Sequence, residues 1–225
     1  NSRYERKAVL DGVTLKEAEA MIKMHPAMFR VLHPPRFVNN IYYDTLDLTN
    51  FADHVEGVSP RIKVRIRWYG EGGYVPSPSL ELKRKDNFVI QKKVFPLPPF
   101  ILQDRMPRKL SGVLRGVDLP PEVLIALRDL EVSIANRYRR QYFISQDGNF
   151  RITLDSSLVF GGPLYFSGLF LREALSPYSD TVILELKYGA ALDRLAREVT
   201  ADFPFRFDKV SKYVLGIEAS PLLVA

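Results

Sequence analysis

The chain has 225 residues, 46% of them hydrophobic, enough for a sizeable core in one large domain or two small ones. Its 32 Lys and Arg outnumber 26 Asp and Glu for a net charge of +6, which points to an anionic partner: nucleic acid, a phosphorylated metabolite or a membrane surface. Cysteine is absent, so disulfides, thiol catalysis and zinc–thiolate sites are excluded, and no apolar stretch approaches the roughly 20 residues of a membrane span. No signal peptide opens the sequence, and it begins at Asn1 rather than Met. The expectation is a cytoplasmic domain, with membrane association left open through a partner or a fused segment outside this chain.

In chain order, "SRYERKAVL" alternates like a strand, with Arg3, Glu5 and Lys7 on one face. "TLKEAEAMIKM" reads as an amphipathic helix opened by a capping box, Thr14 with Glu17. "NNIYYD" predicts a strand and "LDLTNFADHV" a short helix that Asp44 caps. "PRIKVRIRWY" predicts a strand, and "GEGG" a loop after it. "SLELKRKDNFVIQKKVF" predicts two strands with a turn at Asp86-Asn87, and "PEVLIALRDL" a helix beginning beside Pro121. "VSIANRYRRQYFIS" and "FRITLDSSLVF" flank "QDGN", a hairpin signal. "VILELKY" is a further strand, "AALDRLAREVTADF" a helix and "DKVSKYVLGI" a closing short helix. The elements predict one α+β domain over residues 1–225, dominated by antiparallel sheet.

The faces of these strands carry the functional signal. In "PRIKVRIRWY", Ile62, Val64, Ile66 and Trp68 share one side, and Arg61, Lys63, Arg65 and Arg67 the other. Same-face neighbours stand roughly 7 Å apart, so each adjacent cation pair repels by about 2 kcal/mol at an effective dielectric near 20. Relief of this crowding predicts that removing Arg67 costs no stability in the unliganded protein. Other strands repeat the device: Glu81, Lys83 and Lys85 against Leu80 and Leu82; Arg151, Thr153 and Asp155 against Phe150, Ile152 and Leu154; Tyr138 and Arg140 on one side of "NRYRRQYF". In "VILELKY" the frame is ambiguous, with Glu185 and Lys187 set against either Ile183 or Leu184 and Leu186. A solvated sheet face usually mixes Thr, Ser and Gln with charge. Here E-x-K occurs on three strands, at Glu5, Glu81 and Glu185. If the strands close on themselves, such faces line a basic lumen with a few acids for a divalent cation.

"RYERK", "RIRWYG", "LELKRK", "YRRQYF", "RITLD", "ILELK" and "KVSKYV", in this order, resemble the polyphosphate polymerase domain of the vacuolar transporter chaperone (VTC) complex. That domain is one of the triphosphate tunnel metalloenzymes, relatives of the CYTH proteins. The resemblance covers Arg3 to Ile217. It implies a closed antiparallel β-barrel of about eight strands with flanking helices. It also implies transfer of the ATP γ-phosphoryl group to a growing polyphosphate chain, with Mn2+ or Mg2+. By the same resemblance Lys7, Arg65, Arg67, Lys83, Arg140 and Arg151 are catalytic, and Glu185 is the metal ligand. Tyr138, Lys85, Lys209, Ser211 and Lys212 are implied to bind substrate. ATP or another triphosphate, and polyphosphate, are the implied partners.

These residue types suit phosphoryl transfer, which needs positioning and charge stabilisation more than covalent help. Arginine binds phosphate oxygens bidentately, and a single carboxylate can hold a hard cation that takes its other ligands from water and substrate. His25, His33 and His54 lack metal-ligand spacing and read as surface or cap residues, and Gly70, Gly72 and Gly73 as a turn. Lys92 and Lys93 either extend the basic face or are solvated. Two alternatives keep the fold but change the chemistry: an inorganic triphosphatase with water as nucleophile, or a non-catalytic polyphosphate- or nucleotide-binding domain. Nucleic acid is disfavoured as partner, because the aromatics mostly alternate away from the cations and glutamates intersperse them.

Overall fold

The computed structural model describes residues 3–86, 89–102, 109–161, 178 and 180–219. Strand β1 (Arg3–Leu10) leads to helix α1 (Leu15–Met24), whose Thr14 capping box forms as its sequence predicts. His25 ends this helix, yet its ring is buried: Nε2 lies 2.9 Å from the Val199 carbonyl, and Nδ1 accepts from the Ala27 N–H. Strand β2 spans Arg30–Asp44, well beyond "NNIYYD", and its Pro34-Pro35 segment runs exposed at the start. Helix α2 (Thr49–Glu56) follows, with Asp44 accepting from the Asn50 and Phe51 N–H groups.

Strand β3 (Arg61–Tyr69) is the cation-bearing strand, β4 (Tyr74–Val75) a short one, and β5 (Ser79–Asp86) and β6 (Val89–Pro96) the next pair. The turn expected at Asp86-Asn87 lies partly outside the described residues. Strand β7 (Phe100–Ile101) pairs with β4 in a two-residue ribbon too brief to leave a sequence signal. Helices α3 (Leu110–Val113) and α4 (Pro121–Leu127) precede the hairpin of β8 (Glu131–Ile144) and β9 (Arg151–Gly161). In its "QDGN" turn, Gly148 takes φ 76°, which glycine adopts without strain. Strand β10 (Val182–Gly189), a 3-10 turn (Ala190–Leu192), α5 (Asp193–Ala201) and α6 (Lys212–Glu218) complete the chain.

Eight strands make one antiparallel sheet in the order β1-β10-β9-β8-β2-β3-β5-β6, so the architecture is mixed α/β with flanking helices. The order has two ends, β1 and β6, and the described ladders do not close it into the expected hydrogen-bonded barrel. One end is already occupied. The Asp208 N–H donates to the Lys7 carbonyl at 2.7 Å, using a backbone acceptor that a closing strand would need.

The chain forms two compact units. The first gathers the residues up to Phe37, Tyr138–Leu158 and the stretch ending at Val210; the second gathers Val38–Arg137 and the chain from Ser211. In the first, Ala8, Ile22, Phe29, Leu154, Leu184, Leu186 and Val199 share a core. Leu184 and Leu186 therefore settle the frame of β10, leaving Glu185 and Lys187 on the polar face. In the second, Ile66, Trp68, Leu80, Leu110 and Val123 pack together, and Tyr42, Ile134, Tyr213 and Ile217 form a smaller cluster.

Candidate functional site

In the second unit, register builds a cationic face. Arg61 lies opposite Lys85, Lys63 opposite Lys83, Arg65 opposite Glu81, and Lys83 in turn opposite Lys92. Directly opposed like charges destabilise a sheet, so partners matter. Arg65 donates from Nε and Nη2 to Glu81 Oε2 at 2.8 and 2.6 Å, and Lys92 donates to Oε1 at 2.9 Å. Arg67 lies 4.0 Å from the same carboxylate and donates from Nε to Asn40 Oδ1 at 2.8 Å. Burial pushes the Glu81 carboxyl up, but Arg65, Arg67 and Lys92 overcome that and hold it at about 2. Lys63 donates to Ser211 Oγ at 2.9 Å and sits over the Tyr213 ring. His54 registers the surrounding field: burial, then Lys63, with Arg61 and Lys83, pushes its pKa down to about 4.

In the first unit, Lys7 lies opposite Glu185 and Glu185 opposite Thr153; Glu5 faces Lys187, and Lys187 faces Arg151. Arg140 grips Asp155 with two hydrogen bonds, Nε at 2.6 Å and Nη2 at 2.7 Å, and Nη2 lies 3.5 Å from Glu185 Oε2. Burial works against the Arg140 charge, yet Asp155 and Glu185 raise its pKa well above the usual arginine value. The Tyr138 ring lies beneath this guanidinium, 5.3 Å from centroid to Cζ. Glu185 Oε1 is 3.4 Å from Lys187 and 3.8 Å from Lys7, and Lys7 also lies 3.5 Å from Glu5.

A divalent cation fits this second group as a partial donor set. Among the described residues no three His, Asp or Glu side chains cluster to hold a metal. Thr153 Oγ1, however, is buried without a hydrogen-bond partner, directly across from Glu185. A carboxylate beside an unsatisfied hydroxyl offers hard oxygens of the kind Mg2+ or Mn2+ takes when phosphates and water complete its shell.

Of the residues singled out in the sequence, Lys7, Tyr138, Arg140 and Glu185 come together in the first unit. Arg151 shares their face at its exposed end, while Lys209 is exposed beside Asp208, whose carboxylate accepts from the Lys209 N–H. In the second unit Arg65, Arg67, Lys83 and Lys85 share one face. Ser211 reaches that face through Lys63 and also caps α6, at whose first position Lys212 stands. Lys92 extends the face, whereas Lys93 lies opposite Leu82 on the other side. Sequence reasoning did not single out Asn40, Asn136 and Asp155 as functional. Asn40 shares the parity of Tyr42 in "NNIYYD", the one signal that could have placed it beside the cations.

No curated protein matches the chain in sequence. Solved structures share its fold at low identity. A candidate adenylyl cyclase of Hippeastrum, described as having a dominant triphosphatase activity, aligns over 98% of this chain and 97% of its own, at 13% identity and a TM-score of 0.56. A candidate adenylate cyclase of Bacillus halodurans aligns over 94% of both chains, at 13% identity and a TM-score of 0.54. The VTC domain family matches residues 2–220, and the resemblance carried by the strand motifs is borne out: this chain belongs to the VTC domain family.

Proposed function

We propose that the chain is a metal-dependent polyphosphate polymerase. It transfers the ATP γ-phosphoryl group to a growing polyphosphate chain in a basic tunnel, with residues 1–225 working as one domain. The observation that carries the reading is the way the buried arginines are held. Arg67 is pinned through Nε by Asn40, and Arg140 through Nε and Nη2 by Asp155, so each guanidinium keeps donors in a fixed direction. Membership of the VTC domain family favours a phosphate chain as the acceptor.

In this reading Lys7, Arg65, Arg67, Lys83, Arg140 and Arg151 contact phosphoryl oxygens, and Lys85, Lys209, Ser211 and Lys212 bind the substrate chain. Tyr138 acts through Arg140, whose charge its ring supports. Glu185 and the Thr153 hydroxyl would hold Mn2+ or Mg2+, which supplies charge neutralisation across neighbouring phosphates. A terminal oxygen of polyphosphate forms the new P–O bond as the bond to the β-phosphate breaks, and ADP leaves. That oxygen is already anionic, so no side chain need take its proton. The arginines and lysines stabilise charge and hold the two ends in line.

Hydrolysis is the second reading, favoured by the triphosphatase activity of the Hippeastrum protein that shares the fold. Purified protein with ATP and Mn2+, assayed together for polyphosphate, free phosphate and ADP, separates them. Chain growth with ADP supports the polymerase, and phosphate with ADP but no polymer supports the triphosphatase. Titration with tripolyphosphate against single-stranded DNA of equal charge tests the ligand class; tighter DNA binding defeats both readings.

A further inference from the structure

Behind Arg67 lies a relay of two buried amides. Arg67 Nε donates to Asn40 Oδ1 at 2.8 Å, and Asn40 Nδ2 donates to Asn136 Oδ1 at 2.8 Å. A guanidinium has donors and no acceptor. Asn40 must therefore turn its oxygen toward Arg67, which leaves its NH2 group for Asn136. Asn136 must in turn offer its oxygen, and its own NH2 becomes the outer end of the chain. One arginine thus sets the orientation of both amides and removes the usual ambiguity between amide O and N.

That outer end is unsatisfied. Asn136 Nδ2 is sealed from solvent and has no hydrogen-bond partner, in a side chain 1% exposed. A buried donor without an acceptor is costly, and native structures keep one where a ligand, an ordered water or ion, or a strained function explains it. The atom it awaits must be an acceptor, and the neighbouring charge makes it anionic: Arg67 ends the same relay, with Arg65 next on that face of β3. A neutral N–H adds a hydrogen bond to such an anion without adding to the crowding of Arg61, Lys63, Arg65 and Arg67.

We propose that Asn136 Nδ2 is a substrate contact, donating to a non-bridging oxygen of the phosphoanhydride chain bound at Arg67, and that Asn40 is the positioning residue linking the two. This rests on the reading of the protein as a binder of triphosphate and polyphosphate.

The test is calorimetric titration of metal-free protein with tripolyphosphate. Asn136→Asp keeps the size of the side chain and the acceptor for Asn40, but places a carboxylate oxygen where the donor was; affinity should fall by about tenfold or more. Asn136→Ala removes the donor and also the acceptor for Asn40 Nδ2, so it loosens the relay as well and should lose roughly three- to tenfold, with the salt dependence of binding unchanged because no charge is removed. A second measurement needs no variant: the Asn136 side-chain amide of the wild type, assigned by NMR through its own Cβ, should shift on adding tripolyphosphate. If the wild type binds while this amide stays unmoved and Asn136→Asp binds equally well, the inference fails and the proposed function stands. If the wild type binds no tripolyphosphate, the proposed function fails and the inference with it.

Discussion

Arg65 and Glu81 face each other directly across β3 and β5, and both hydrogen bonds from the guanidinium to this carboxylate land on the single oxygen Oε2, while Nη1 donates to the Tyr42 hydroxyl. The other oxygen is left to Lys92, so one carboxylate serves two strands of cations at once. Because the folded carboxyl is held at about 2, below its ordinary 4.5, the stabilisation is complete above pH 4.5 and lost as pH falls toward 2. The linked contribution is on the order of 3 kcal/mol. Urea unfolding between pH 7 and pH 2 should show this loss in the wild type. Glu81→Gln should be less stable at pH 7, by about 3 kcal/mol, because it leaves the buried Arg67 and the half-buried Arg65 without their carboxylate, and should show a flatter pH profile below 4.5.

His54 offers a reporter of the same field. Its pKa is pushed down to about 4 by burial and by Lys63, Arg61 and Lys83, although the Asn50 carbonyl favours its charged form. An anion seated among these cations cancels their field, so tripolyphosphate should raise the His54 pKa toward the ordinary histidine range. NMR titration of its ring protons with and without ligand measures the shift. An unchanged pKa at saturating ligand would place the anion elsewhere.

Glu185→Gln should abolish manganese-dependent turnover while leaving metal-free tripolyphosphate binding intact or tighter, since a negative charge leaves an anion site. Arg67→Ala should do the reverse and weaken binding by about 1.5–3 kcal/mol. Crowding on β3 alone would make that variant no less stable. The Asn40 contact reverses the expectation: with Arg67 gone, the buried Asn40 Oδ1 loses its donor, and stability should drop by about 1–2 kcal/mol. Calorimetry, a chain-growth assay and urea unfolding of both variants check all three statements.

Gly216 in α6 tests the packing of the closing helix. A Cβ there would meet Phe160 Cδ1 at 2.6 Å and Ile134 Cγ1 at 3.1 Å. Alanine gains up to about 1 kcal/mol in helix propensity, but the overpacking costs roughly 1–3 kcal/mol. Gly216→Ala should therefore lower the urea midpoint, and Gly216→Ala with Phe160→Leu should recover part of it.

Much of the fold was legible because period-two patterning is local. The apolar and cationic faces of β1, β3, β5 and β9 fell where alternation put them, as did the Thr14 capping box and the "QDGN" turn. What failed was less local. The prolines at 34 and 35 hid the first half of β2, although they occupy its exposed start, where a missing N–H costs little. The frame of β10 needed the packing of Leu184 and Leu186 to resolve. The cationic residues were visible, but their partners were not. Asn40 and Asn136 are 96 positions apart, and Arg65 meets Glu81 through a register that single-strand patterning does not contain. Closure of the sheet was expected from the family resemblance and is not among the described ladders.

The pairing of β1 with β10 bears on how the protein is made. Strand β1 finds its ladder partner in β10, the last of the described strands in chain order, with Lys7 waiting for Glu185 and Ala8 for Leu184. Until β10 is synthesised, β1 has no sheet to join. Contacts so distant in sequence slow folding and prolong the life of sticky, half-built states. The charges of "RYERK" then serve an earlier purpose as well, keeping a nascent strand soluble while it waits.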